Sequence, residues 1–232
     1  MRLRLLTLIC ALLAFATAAG CGSSASSSGN GVASKSPAEI VAAAKDAADA
    51  ASSVHVAGSV VNAGTSIALN MELLTGKGGR GRLSQNGLSF ELIAVGGYVY
   101  ISGNPAFYSH FAGPAAAQLL QGKWLKAPAS SGSFASLGSL TDARKLLDST
   151  LGGHGRLARG ATRTIAGQQV VGIKDLTHGG ILYVAATGTP YPIEITKGGG
   201  SGGKILFTHW NAPVKVTAPA NSVDLGQLES GR

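Results

Sequence analysis

Thiols, acids and aromatic rings are all scarce in this chain. Its two cysteines, Cys10 and Cys21, both fall within the first 21 of 232 residues, so neither a disulfide framework nor a thiolate metal site is available downstream. Only 11 residues are acidic, and none precedes Glu39. Charged residues make up 13% and aromatic residues 6%, yet 45% of the chain is hydrophobic, which excludes disorder for its bulk. The 19 basic residues bring the net charge to +8, but no stretch concentrates them. Charge spread that thinly is a solvated surface and excludes a nucleic-acid footprint. The main apolar run, Leu5 to Ala16, falls short of the ~20 residues needed to cross a ~30 Å bilayer core. Glycine, by contrast, is abundant: 34 residues favour turns and hairpins over long helical bundles.

The N-terminus reads as an address. Arg2 and Arg4 give a positive start, the apolar run follows, and Ala18-Ala19-Gly20 forms a small-residue exit, so residues 1–20 are a secretory signal. Cys21 stands directly after that exit. The arrangement resembles the bacterial lipobox, in which the signal is cut before a cysteine whose thiol then carries a diacylglycerol; Ala18 stands where that pattern prefers Leu. The competing reading is an ordinary Ala-x-Ala cut after Ala18 that leaves Cys21 idle near the new terminus, and against it stands the liability of a lone exposed thiol in an oxidising compartment. Residues 21–35 are rich in glycine and serine, with Lys35 as their only charge, and read as a flexible tether to a folded domain at 36–232.

Ser36-Pro37-Ala38-Glu39 has the residues of a capping box with proline at the first helical position, and predicts an Ala-rich helix to about Ser52. Period-two strands follow: Val54 to Val60, Ile67 to Leu73, Arg80–Ser84, Leu88–Val95 and Tyr98–Ser102, with Asn86-Gly87 and Gly96-Gly97 as hairpin turns. Helical spacing takes over at Pro114–Gln121 and Phe134–Leu151, where Thr141 is placed to cap the second piece and Trp124-Leu125 forms an extended link. Strands return at Thr162–Ala166, Gln169–Asp175, Gly180–Ala186, Pro192–Thr196 and Lys204–Trp210. No internal repeat interrupts the plan of meander, helical insert and meander.

Several chemical motifs dissolve on inspection. Gly76 to Gly81 matches G-x-G-x-x-G, but a strand follows where a dinucleotide site needs a helix. Gly198 to Lys204 matches most of a phosphate loop, a nucleophile elbow at Ser201 and a Ser201-x-x-Lys204 pair at once, so the tract is permissive and reads as a hairpin tip. His55, His110, His154, His178 and His209 share no metal-like spacing and have no acidic partner close in sequence. Glu72, Glu91 and Glu194 fall on the wet phase of their strands. No catalytic constellation, metal site or cofactor is called for.

A family resemblance lies in the order of these parts together with Gly122-Lys123-Trp124-Leu125-Lys126, the segment Gly180-Ile181-Leu182-Tyr183-Val184-Ala185 leading into Pro190-Tyr191-Pro192-Ile193, and Asn211-Ala212-Pro213-Val214. Together they resemble the mycobacterial LppX/LprA/LprF/LprG lipoproteins across residues 21–229. The resemblance implies an α+β fold: a single curved antiparallel sheet, a half-barrel of LolA/LolB-like architecture, wrapping helices on its concave face. It implies a non-enzymatic protein, held on the extracytoplasmic side of the cell membrane, that binds acyl chains of lipids or lipoglycans in an apolar cavity and carries or transfers them. Its partners would be that ligand, the membrane reached through the anchor and an envelope export protein; a monomer is expected and nucleic acid is not. The strands would line the cavity with Val56, Val60, Leu69, Met71, Phe90, Leu92, Val99, Ile101, Leu182, Val184, Ile195 and Phe207. The helices would add Leu119, Leu120, Leu137, Leu140, Leu147 and Leu151. The competing reading is a non-catalytic scaffold or interaction lipoprotein in which the same residues form a filled core. An envelope hydrolase would need a nucleophile with a base, and the sequence offers no such pair.

Anchoring is expected to depend on Cys21. Stable attachment takes about two acyl chains, at ~0.8 kcal/mol per buried methylene, and no other segment offers comparable apolar length. On cell fractionation, Cys21→Ser should leave the membrane fraction. Retention by anything other than the uncleaved signal would overturn the lipidation reading.

Overall fold

A computed structural model describes residues 29–62, 64–198 and 202–225. The signal, Cys21 and residues 22–28 lie outside the described residues, as do residues 199–201 of the glycine tract.

Helix α1 (Pro37–Ala50) starts as the sequence dictates. The Ser36 hydroxyl accepts the Glu39 N–H, and the Glu39 carboxylate accepts the Ser36 N–H at 2.8 Å. The first meander comprises β1 (Ser53–Asn62), β2 (Thr65–Leu74), β3 (Gly78–Gln85), β4 (Leu88–Val95) and β5 (Tyr98–Gly103). Its turns include Asn86-Gly87 and Gly96-Gly97, each with positive φ at both positions, as a two-residue hairpin turn requires. The insert holds α2 (Pro105–Ala112), α3 (Pro114–Leu120), β6 (Trp124–Pro128), α4 (Gly132–Leu140) and α5 (Ala143–Leu151). The second meander is β7 (Leu157–Ile165), β8 (Gln168–Asp175), β9 (Ile181–Ala185), β10 (Pro192–Lys197) and β11 (Gly203–Thr208); β12 (Ser222–Asp224) closes the chain's path.

All the strands form one open 12-stranded sheet in the order β12-β6-β5-β4-β3-β2-β1-β11-β10-β9-β8-β7. It is antiparallel except where β12 runs parallel to β6. The two meanders become one sheet through β1 and β11, paired from His55↔Thr208 to Val60↔Gly203. Register places Phe207, Val56, Met71, Leu92 and Ile101 along one row of the inner face, with Ile173, Leu182, Ile195, Ile205, Leu69, Leu83 and Phe90 along the next. The amphipathic helix α5 covers these rows with Ala143, Leu147 and Leu151, and α1 covers β7–β10 with Ile40, Val41 and Ala44. Lys45 ties the two helices together, pairing with Asp49 of α1 at 2.8 Å and with Asp148 of α5. The expected open sheet with helices on one face is therefore what the chain builds. No helix among the described residues is long and apolar enough to cross a membrane.

Four local expectations are corrected. Residues 29–35 are not free tether. Asn30 donates from its backbone to Ala186 O and from its side chain to Ala185 O and Gly188 O, Val32 is buried beside Val171 and Val184, and Arg159 clamps the carbonyls of Ala33 and Lys35. The cap of α5 is Asp142, which accepts the N–H groups of Arg144 and Lys145, while the Thr141 hydroxyl turns back to Gly138 O. Helix α2 occupies a stretch with no expected element. Finally, Glu194 is not on a wet face: it is buried on the outer side of β10, held by Arg163 and by Lys204 at 2.8 Å, with the Arg163 guanidinium 3.7 Å above the Tyr183 ring.

Gly58 sits at the middle of the seam with φ 150, and a Cβ there would run into the carbonyl oxygen of Lys204 on β11. Gly58→Ala is expected to cost about 2 kcal/mol or more, by overpacking against backbone that cannot yield. Gly198→Ala, with open space around it, should stay within about 0.5 kcal/mol of wild type. Denaturant midpoints at unchanged slope would report both. Equal midpoints for the two variants would contradict the seam's tightness.

Candidate functional site

Where α1 and α5 cross β7–β10 the cover is incomplete. A pocket of about 140 Å³ remains, floored by Ile173, Leu182 and Ile195 and walled by Val41, Leu151 and Leu157. The floor belongs to one register row, Ile173↔Leu182↔Ile195, so three adjacent strands present aliphatic side chains side by side. Its mouth is formed by Thr150, Gly153, His154, Asp175, Gly179, Gly180 and Lys197. Gly179 and Gly180 both have positive φ, which lets the β8–β9 turn fold back at the rim without a side chain to block it. A volume of this size matches a benzene-sized void and lies below the ~300–1,000 Å³ of sites that enclose a whole ligand. It suits the end of one hydrocarbon chain.

The remainder of the inner face is filled. Val54, Leu73, Leu92 and Val99 are completely buried, and Val56, Met71, Ile101, Leu147 and Phe207 join them in one cluster. Beyond it, over the turns of β2–β3 and β4–β5, a second and more polar cleft of about 770 Å³ lies against α4 and α5, bordered by Lys77, Tyr98, Asp142 and Lys145.

Of the expected lining residues, the structure brings Leu151, Leu182 and Ile195 to the pocket. Val184 lies beneath α1 in the neighbouring cluster. Val56, Met71, Leu92, Val99, Ile101, Leu147 and Phe207 form the filled centre, with Leu69, Phe90 and Leu137 packed on it and Leu120 half-buried on α3. Three do not face the interior as expected: Leu119 is 67% exposed, Leu140 40% and Val60 36%. Leu119 lies on α3, whose main packing partner is α2; Leu140 ends α4; Val60 stands past the last row that the helices cover. Cys21 lies outside the described residues. Val41, Leu157 and Ile173 were not singled out as lining. Ile173 sits in the unbroken run Val170-Val171-Gly172-Ile173, buried on both faces, where alternation cannot tell inside from outside.

Polar order at the mouth centres on Asp175. Its carboxylate accepts the N–H groups of His178 at 3.0 Å, Thr177 at 2.8 Å and Gly155 at 3.1 Å, and meets His178 Nδ1 at 3.0 Å. The His178 backbone N–H first, then those of Gly155 and Thr177, then the His178 ring, hold the carboxyl well below the usual carboxylate range. His178 thus has an acidic partner three residues away, contrary to the sequence reading. Its role is to brace the turn: the same carboxylate ties the β8–β9 turn to the α5–β7 connection across the mouth.

A depressed folded-state pKa gives stability that is present above the unfolded value and is lost as pH falls. Wild type is therefore expected to exceed Asp175→Asn in unfolding free energy at pH 7, with the gap narrowing below about pH 4. Denaturation series across that range test it, and a gap that stays constant would remove Asp175 from this role.

No protein family matches the sequence, and no curated protein matches it. Solved structures do. LprF from Mycobacterium bovis aligns with a TM-score of 0.55 at 15% identity, over 80% of this chain and 97% of that one. The Mycobacterium tuberculosis lipoprotein LppX aligns with a TM-score of 0.52 at 17% identity, over 78% of this chain and 98% of that one. The expected likeness is borne out at the level of architecture: the chain has the fold of LprF and LppX.

Proposed function

We propose that this chain is a membrane-anchored, non-enzymatic lipoprotein of the cell envelope that binds acyl chains of lipids or lipoglycans between its sheet and helices and carries them. The observation that carries this reading is the aliphatic pocket on Ile173, Leu182 and Ile195, open at Gly179-Gly180 and continuous inward with a wholly apolar core. The fold shared with the lipoprotein LppX and the Cys21 pattern of the leader support it.

A longer chain needs more room than about 140 Å³. A large void held open without an occupant costs about 24 cal/mol per Å³, so the economical resting state is one in which side chains close the space. Helix α4 is the cover best suited to give way. It lacks a side-chain N-cap, its Phe134 and Leu137 are only partly buried, and it carries the poor helix former Gly138 in its interior. An acyl chain entering over Leu182 would replace contacts that α4 and α5 make with the sheet by contacts with itself.

The filled centre favours a second reading, an interaction lipoprotein that binds no lipid. Leu182→Trp separates the two, whereas Val60, half out of the interior, does not serve. Native mass spectrometry of gently purified wild type should show a co-purified acyl lipid. The Leu182→Trp chain should lack it while melting at the same temperature as delipidated wild type or a higher one, because the ring occupies existing space. Absence of lipid from both, with a lower melting temperature from overpacking of about 1–3 kcal/mol, would establish the second reading instead.

A further inference from the structure

The most exposed large apolar side chains lie at one end of the strands, and the register fixes which end. The pocket mouth is formed by Asp175, Gly180 and Lys197, beyond the row of Ile173, Leu182 and Ile195. Across the seam that same end continues through Val60 and Ile67 to Gln85 and Leu88. Helix α2 starts there: its cap Asn104 accepts the Phe107 N–H and is bonded to Gly87 O and the Ser89 N–H, so the α2–α3 hairpin is pinned to the β3–β4 turn. Phe111 and Leu119 on this hairpin are each 67% exposed, and Leu176, on the β8–β9 turn beside the mouth, is 51% exposed.

Phe111 is held out from the core by other rings. Phe107 packs in tilted contact with Phe90 of the inner face at 5.1 Å between ring centres and with Phe111 at 4.9 Å, a ladder from core to surface. Tyr108 is buried, accepting the Gly103 N–H and donating to Lys123 O, which fixes both ends of the α2–α3 hairpin. Free charge beside the hairpin is positive. No Asp or Glu occurs between Glu91 and Asp142, Lys123 is exposed there, and Lys197 is exposed at the pocket mouth. The acids nearest this end are engaged, Glu91 by Arg82 and Asp175 by His178 and the turn.

We propose that this end, made of the α2–α3 hairpin and the β8–β9 turn, is the surface that seats the protein on an anionic lipid bilayer. Exposed Phe and Leu enter the boundary between headgroups and acyl chains, and the unopposed cations face lipid phosphates. Seating by this end turns the pocket mouth toward the bilayer. The proposal uses the position of that mouth and not the identity of its occupant.

The test places tryptophan at Phe111 and Leu176, on separate elements of the proposed surface, and at Leu140 (40% exposed, at the far end by Thr141) in the full chain. Vesicles of brominated phosphatidylglycerol and phosphatidylcholine should quench most of the added emission of Phe111→Trp and Leu176→Trp and leave that of Leu140→Trp. Neutral brominated vesicles should quench several-fold less. Adding Phe111→Ser and Leu119→Ser to the Leu176→Trp chain should reduce its quenching, since one docking event serves both elements. Equal quenching at all three positions, or none at any, overturns the proposal. So does a concentration-dependent dimer that protects Phe111→Trp without lipid, which would assign the surface to a second copy. None of these readouts requires lipid uptake, so failure here and failure of the carrier reading are distinguishable.

Discussion

The pairing of β1 with β11 is the contact on which the rest of the molecule depends. Each meander alone has short loops and local pairings, but neither presents enough apolar surface to cover α1 and α5 together. Joined at the seam, they set Phe207 beside Val56 and Ile205 beside Gly58, and the inner rows run unbroken from β8 to β5. The seam is close because glycine stands on both sides of it, Gly58 in β1 and Gly203 in β11, each at a positive φ and each meeting the partner's backbone where a Cβ would be. A sheet with glycine at such points can bend around its helices, where side chains would hold the strands apart.

Closing the seam leaves an unequal cover. Over β2–β5 the central cluster is dense, and Thr141 at the α4–α5 junction rests directly on Gly79. Over β8–β10 the chain ahead of α1 takes up the outer margin with Val32 and Asn30, and the space between α1 and α5 stays open as the pocket. The outer face here is strengthened separately. Glu194 is paired by Arg163 and Lys204, so side chains of three different strands meet at one buried carboxylate. The wing that carries the pocket is therefore fixed from behind, so that opening toward the helices need not disturb the sheet.

Much of this was legible in the sequence, and the failures have physical causes. Ser36-Pro37-Ala38-Glu39, Asn86-Gly87 and Gly96-Gly97 state their geometry locally, because each satisfies backbone groups within a few residues. Helix α2 carries a local signal too, Asn104 as cap with Pro105 at the first helical position, but it is short, is cut off at Gly113-Pro114, and is held by Phe107 and Tyr108 reaching partners that its own periodicity does not show. Residues 29–35 have a linker's composition but dock through backbone carbonyls and one asparagine, which composition cannot reveal. For the site, alternation found Leu182 and Ile195 but could not separate a pocket wall from a packed core. Val56 and Leu182 belong to adjacent rows of the same face, and only the positions of α1 and α5 decide which of them is covered.

The two ends of the strands differ in kind, and that difference bears on how an anchored molecule would sit. Gly29, where the described chain begins, pairs with Thr187 at the end opposite the pocket mouth. From Cys21 to Gly29 a fully extended chain reaches at most about 28 Å. The strand beside Gly29 is the short β9, and from Thr187 back to Gly180 at the mouth the chain spans about 23 Å. The two lengths are nearly matched, so a body anchored through Cys21 would rest its mouth end on the same bilayer only with its leash drawn out alongside β9. Anchor length and strand length together thus act as a geometric constraint: with a leash a few residues shorter, the sheet would have to tilt for the mouth to meet the membrane.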